Sequence, residues 1–187
     1  MEELQLVDEN DQEIGSAEKE LCHRTPTTLH RAFSVFIFDK KGRMLIHRRA
    51  EGKKTWPGFW SNACCSHPRK GESLAEATRR RLQEELGITS PPLTHLFSFA
   101  YKVDYDEHYG ENEVDHVFVG VYDGVIIPDK EEIADWRFVT ISDLLHDIKV
   151  NSGQYTPWFK EALPRVLQKT GIGNGHYSAA PSDPKEL

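Results

Sequence analysis

Residues 72–88 read ESLAEATRRRLQEELGI. The run predicts a helix with both ends marked. Ser73 and Glu76 have the spacing of a capping box, in which each side chain bonds the other's backbone N–H. Gly87 stands where a left-handed residue closes a helix. Leu74, Thr78, Leu82 and Leu86 recur every fourth residue and form the stripe that faces a core. The remaining face is charged, and Arg81 and Glu85, four apart, share it. Taken alone, such a helix is equally a surface element laced by ion pairs.

Upstream, AFSVFIFD (32–39) is apolar, aromatic and β-branched, the composition of a buried strand. KKG turns the chain and RMLIHRR (43–49) returns as a second strand. A loop rich in Trp, Pro and Gly follows, TWPGFWSNACCSHP (55–68). Beyond Pro91-Pro92, strand-like runs fall at 96–103, 111–124 and 136–141. SDLLHDI predicts a short helix beginning at Ser142. The run 156–171 predicts another, with Thr156 as N-cap, Pro157 at its first position and Pro164 as a kink or break. Strands and helices without regular βαβ alternation indicate an α+β sandwich. One domain over residues 1–170 is expected, with a flexible tail over 171–187. Residues 1–18 carry no functional signal of their own.

The 187 residues suffice for one real core, and 38% hydrophobic with 28% charged is ordinary for a soluble protein. No apolar run reaches membrane-spanning length, and the acidic N-terminus is unlike a signal peptide. Three cysteines suit a reducing cytoplasm rather than a disulfide framework. A net charge of −7 disfavours nucleic acid. The basic residues are nonetheless gathered at HRRAEGKK (47–54) and at Arg79–Arg81, either as solvated surface or as a pocket for a small anion.

The helix resembles the Nudix signature, a Gly, five residues, a Glu, seven residues, then R-E-U-x-E-E-x-G-U with U apolar. Glu72, Arg80, Leu82, Glu84, Glu85, Gly87 and Ile88 match it, while Ser66 replaces the first Gly and Arg81 replaces the Glu after Arg. Nudix enzymes gather divalent cations on such carboxylates. An Arg at position 81 removes one ligand and supplies a cation that attracts a diphosphate. The resemblance implies a Nudix-like mixed β-sheet sandwich flanked by helices.

SNACCSHP (61–68), that altered helix and GENEVDH (110–116) together resemble the type 1 isopentenyl-diphosphate isomerases, from about Leu21 to about Trp158. The family shifts a double bond by a 1,3-proton transfer. The chemistry needs a proton donor and a proton acceptor on opposite sides of a dry pocket. By resemblance Cys65 and Glu113 are that pair, assisted by Tyr101. Cys64 is read as structural. Glu111 and Glu113 share a strand face. With His23, His30 and His67 they make the family's ligand set for one Mn²⁺, Zn²⁺ or Mg²⁺. Glu85 and the Cys65 carbonyl are expected to hold a second cation, Mg²⁺, with the diphosphate. Lys19, Arg49, Lys53 and Arg81 match diphosphate-binding positions, and Trp158 matches an aromatic that faces the isoprenoid tail. Trp158 could equally be core packing. Trp56, Phe59 and Trp60 are read as pocket walls, and the other six histidines as ordinary ones. The expected partner is a small isoprenoid diphosphate, met by a cytoplasmic monomer. A Nudix diphosphohydrolase and a zinc-binding scaffold stand as alternatives. The first has no use for Cys65, and the second would favour a Cys-rich shell.

Overall fold

The helix over 74–86 closes at both ends as its sequence requires in the computed structural model, which describes residues 2–89 and 91–172. Ser73 Oγ accepts from the Glu76 N–H, and Glu76 accepts from the Ser73 N–H at 2.9 Å. Gly87 adopts φ 66°, and the Gly87 and Ile88 amides return to Gln83 and Leu82. A Cβ at Gly87 would meet Ile127 at 3.0 Å, so both space and φ require glycine there.

In chain order the elements are β1 (Glu3–Val7), β2 (Glu13–Glu18), α1 (Lys19–His23), β3 (His30–Phe38), β4 (Met44–Arg49), β5 (Trp60–Ser61), β6 (Cys64–Ser66), α2 (Leu74–Leu86), β7 (Leu93–Asp104), β8 (Gly110–Val121), β9 (Ile133–Val139), α3 (Ile141–Val150), a single 3₁₀ turn at Ser152–Gln154, and α4 (Pro157–Thr170). β3 is the axis of a mixed sheet. Along one edge it pairs in parallel with β8, from His30–Glu113 to Phe38–Val121. Along the other it meets β1 at His30, β6 at Phe33–Val35 and β4 at Phe38. β7 extends the sheet beyond β8, and β9 lies beside β4.

Both faces of β3 are covered, so its sequence does not alternate. Phe36 and Phe38 pack with Met44, Ile46 and the apolar side of α4. Phe33, Val35 and Ile37 pack with Leu45 and with Ala77, Leu82 and Leu86 of α2. The α4 face changes character along the strand. His30 and Ser34 are the buried polar residues of its first half, and Phe36 and Phe38 fill its second half with core. The site is built over that polar half.

Several expectations need correction. Residues 1–18 contain a hairpin, β1–β2, and Gln5 Nε2 ties it to the Arg69 and Glu72 carbonyls at 3.0 and 2.7 Å. β1 alternates as Glu3-Leu4-Gln5-Leu6 over too few residues to stand out, and β2 has no such alternation. β5 and β6 arise inside the loop because β4 and β3 offer them partners. α3 begins at Ile141, with Thr140 rather than Ser142 as its side-chain cap. α4 runs unbroken through Pro164, and Thr156 makes no cap bond because its hydroxyl pairs with Ser61 at 3.0 Å. Of the expected tail, Gly171 and Ile172 are described and 173–187 lie outside the described residues.

Candidate active site

A cavity of about 450 Å³ opens over the polar half of β3, and residues from α1, β6, β7, β8 and α4 line it. Register explains the choice of side chains. Glu111, Glu113 and Asp115 alternate along one face of β8. Glu113 stands beside His30 on β3 and Tyr101 on β7. Cys65 on β6 stands beside Ser34, so the thiol and Glu113 flank β3 from opposite sides.

His23, His30, His67, Glu111 and Glu113 offer ligand atoms that all lie within 4.8 Å of one another. The three imidazole rings meet pairwise at 4.8–5.0 Å. His23 Nδ1 is 2.7 Å from the Lys19 carbonyl and His30 Nδ1 is 2.8 Å from the Thr28 carbonyl. Each therefore donates through Nδ1, which leaves Nε2 with a free lone pair turned toward the carboxylates. Thr55 Oγ1 donates to Glu111 at 3.2 Å, and the Tyr101 hydroxyl donates to Glu113 at 2.6 Å. His30 Nε2 and Glu111 Oε2 are buried and have no hydrogen-bond partner. His67 Nε2 lies 2.8 Å from Glu113 Oε1, and three imidazoles and two carboxylates that converge with unpartnered atoms on His30 and Glu111 fit a divalent cation. Burial, joined by the neighbouring His30 and His23 rings, pushes the His67 pKa well down. Glu113 is held below the usual carboxylate range, because its hydrogen bonds and nearby imidazoles outweigh burial.

Cys65 forms a different environment a few ångströms along the sheet. Trp158 Nε1 donates to its sulfur at 3.1 Å, and the sulfur lies 3.0 Å from Asn62 Oδ1. Ser34 and Ser61 approach at 3.6 and 3.7 Å. Burial first, and then Asp115, push the thiol pKa up to about 12 against the opposing hydroxyls and Arg49. Cys65 is therefore a thiol at neutral pH.

The cationic groups gather on the other wall. Lys19, Arg49, Lys53 and Arg81 all line the cavity. Arg49 is fixed by the Thr55 and Trp56 carbonyls at 2.8 and 3.1 Å and lies over the Trp158 ring. Burial, partly offset by Glu85, and then the charges of Arg49, Lys19 and Arg81 bring Lys53 down to about 8. Arg81 pairs with Glu84 at 2.9 Å, Glu85 at 2.5 Å and Glu132 at 3.1 Å. Glu132 also pairs with Lys53. The Nudix-type carboxylates are thus engaged by the arginine that departs from the signature. Glu85 is buried against it and also accepts from Cys64 at 3.6 Å, without itself lining the cavity.

The structure brings together every residue singled out for chemistry or substrate, with Glu85 one layer behind Arg81. It does not make walls of Trp56, Phe59 and Trp60. Trp56 stands behind Trp158, edge to face at 5.2 Å, and none of the three lines the cavity. Among the described residues, none of the histidines read as ordinary joins the five-residue cluster, and His176 lies outside them. Sequence reasoning missed Ser34, Asn62, Asp115 and Glu132. Asp115 was within reach, since it continues the Glu111–Glu113 alternation. Glu132 comes from a loop that carried no pattern.

The NUDIX domain model matches residues 28–159. Isopentenyl-diphosphate Delta-isomerase 1 of Aromatoleum aromaticum is 45% identical over 162 residues, 87% of this chain and 90% of that protein. Isopentenyl-diphosphate Delta-isomerase of Streptomyces avermitilis is 43% identical over 177 residues, 92% and 89% of the two. Among solved structures, DR0079 of Deinococcus radiodurans superposes with TM-score 0.70 at 20% identity, covering 89% of this chain and 98% of that one. The MutT protein of Methanosarcina mazei gives 0.60 at 21% identity, over 75% and 94%. These structural likenesses bear on the fold alone. Among the described residues no helix is long and apolar enough to cross a membrane.

Proposed function

The chain belongs to the NUDIX domain family and, within it, to the isopentenyl-diphosphate Delta-isomerases, and from that premise we propose how its residues carry out the isomerisation. The enzyme interconverts isopentenyl diphosphate and dimethylallyl diphosphate. One proton must reach the exomethylene carbon of the alkene, and another must leave the carbon on the far side of the double bond. The observation that carries the assignment is that Cys65 and Glu113 open onto one cavity from either side of β3. They are a matched pair, because one holds a proton and the other is a charged carboxylate. One member gives a proton as the other takes one, and the roles exchange when the reaction runs backward. The Tyr101 hydroxyl, donating to Glu113, steadies the carboxylate through both states.

Protonation creates a tertiary carbocation. Trp158 borders the cavity beside Cys65 and offers an aromatic wall to it. Lys19, Arg49, Lys53 and Arg81 bind the diphosphate and so place the alkene between the two groups. His23, His30, His67, Glu111 and Glu113 would hold one divalent cation, Mn²⁺, Zn²⁺ or Mg²⁺. Glu85, which stands behind Arg81 and pairs with it, would with the Cys65 carbonyl hold Mg²⁺ beside the diphosphate only through the oxygen that Arg81 and Cys64 leave free. Such cations supply charge neutralisation and a fixed anchor for the carboxylates. The protein works as a monomer in the cytoplasm.

Proton NMR of isopentenyl diphosphate with reduced, metal-replete protein in D₂O tests the activity. Exomethylene signals should disappear as dimethylallyl methyl signals grow and deuterium enters the product. An unchanged spectrum overturns the reading. Glu113→Gln, with the fold intact by circular dichroism, should leave the spectrum unchanged, and turnover near wild type would remove Glu113 from its role.

A further inference from the structure

The hydrogen bonds around Cys65 assign a task to a residue that neither lines the cavity nor carries charge. Asn62 is fully buried. Its Nδ2 donates to the Val35 carbonyl at 3.1 Å and to the Cys64 carbonyl at 3.0 Å. Both amide hydrogens are thereby committed. The reversed amide would set Oδ1 against two carbonyl oxygens, so the network fixes the orientation. Oδ1 must then face Cys65 Sγ at 3.0 Å, where it can only accept.

The other neighbours leave the thiol hydrogen no nearer acceptor. Trp158 Nε1–H is itself a donor, shared between the sulfur and Ser61 Oγ at 3.1 Å each. Ser34 donates its one hydrogen to Asp115 Oδ2 at 2.8 Å, and Ser61 Oγ is engaged by Thr156 Oγ1 at 3.0 Å and by Asn62 Oδ1 at 3.2 Å. Either serine oxygen could accept from the thiol, but both stand at 3.6 Å or more.

We propose that Asn62 is the positioning residue for the Cys65 thiol. It accepts the S–H, while the Trp158 N–H holds the sulfur from another side. The sulfur is thereby fixed. One torsion, about the Cβ–Sγ bond, still swings the hydrogen between Asn62 and the cavity. Proton delivery then needs no movement of a heavy atom. This deepens the reading of Cys65 as one of the two proton-transfer groups and rests on it.

The infrared S–H stretch reads the contact without turnover. The Cys65 band is assigned as the one lost in Cys65→Ser. In the wild type it should lie below the frequency of a free thiol in an apolar solvent. In Asn62→Leu, which keeps the bulk and removes the acceptor, it should rise toward that frequency. Asn62→Leu should also lower kcat by about tenfold to a hundredfold with KM for isopentenyl diphosphate within about twofold. A wild-type band at the free-thiol frequency overturns the proposal, even where the leucine variant fails to fold. So does a band that stays put in folded Asn62→Leu. A shifted band in a protein whose Cys65→Ala variant still isomerises would instead sink the role of Cys65 and leave the contact standing.

Discussion

Cys64 and Cys65 are adjacent residues of one three-residue strand, and nothing in their chemistry separates them. Burial is the first cause that raises both thiols, Cys65 to about 12 and Cys64 well above its ordinary value. Their surroundings differ completely. Cys64 points toward α2, among Ala77, Leu82 and Leu86, with its sulfur near Glu85. Cys65 points to the other face, into a hydrogen-bonded ring that opens onto the cavity. The alternation of a strand sends one thiol into packing and turns its neighbour to the cavity, where the proposed chemistry lies. Proton affinity would not have distinguished them.

The sharpest test compares alanine at the two positions. Cys65→Ala should lower kcat by about 10³-fold or more, because it removes one of the two groups proposed to transfer protons. Cys64→Ala should leave kcat within about threefold. Equal losses would mean that both thiols serve the reaction, and the comparison would collapse.

Alkylation sharpens the same contrast through pH. A pKa raised from the ordinary 9.0 to about 12 leaves Cys65 protonated well above neutrality. In metal-depleted protein at pH 8, iodoacetamide should label it about 10³-fold more slowly than a free thiol, with the rate rising about tenfold per pH unit. Cys64 should stay unlabelled until the protein unfolds, since it has no surface exposure. Rapid labelling of Cys65 at pH 7, read by mass spectrometry, would show a thiolate and reverse its role at rest.

The fold and the site were legible to different depths. Helix α2 announced itself because capping, periodicity and charge agreed within one local stretch. The five positions of the His and Glu cluster emerged where separate motifs aligned with a family. The alternation of Glu111 and Glu113 was visible, and its continuation to Asp115 lay two residues further. The failures share a cause. The strands β5 and β6 exist because β3 and β4 offer them edges, and that is tertiary context. Glu132 meets partners distant in sequence, Lys53 and Arg81, and Asn62 is oriented in part by Val35, although the thiol it meets is only three residues on. No local pattern marks such a residue. The aromatic cluster misled for a related reason. Trp56, Phe59 and Trp60 resemble pocket lining in composition, yet Trp158, a hundred residues on, takes the place at the wall.

Tyr101 extends the comparison to Glu113, the other member of the proposed pair. Tyr101→Phe removes the hydroxyl that donates to Glu113 at 2.6 Å and keeps the ring. A hydrogen bond to a charged group is worth about 1.5–3 kcal/mol, so kcat should fall by about tenfold to a hundredfold. KM for isopentenyl diphosphate should hold, because the hydroxyl is not among the cations that bind the diphosphate. A change confined to KM would move Tyr101 from the proton-transfer pair to substrate binding.

The smallest expected effect is the stability cost of Cys64→Ala, and it carries the most about how the two faces are joined. The substitution removes one buried sulfur from a packed core, worth about 1 kcal/mol by the cost of small deletions. It also removes a donor from Glu85, whose other partner is Arg81. If the two faces of β6 are energetically separate, chemical denaturation should register that loss of about 1 kcal/mol while the pyrophosphate inhibition constant stays unchanged. If Glu85 relies on Cys64 to hold Arg81 at the cavity wall, the inhibition constant should rise with the loss of stability. The packing thiol would then act on the substrate through two side chains, and the division of labour between the cysteines would be one of distance rather than of kind.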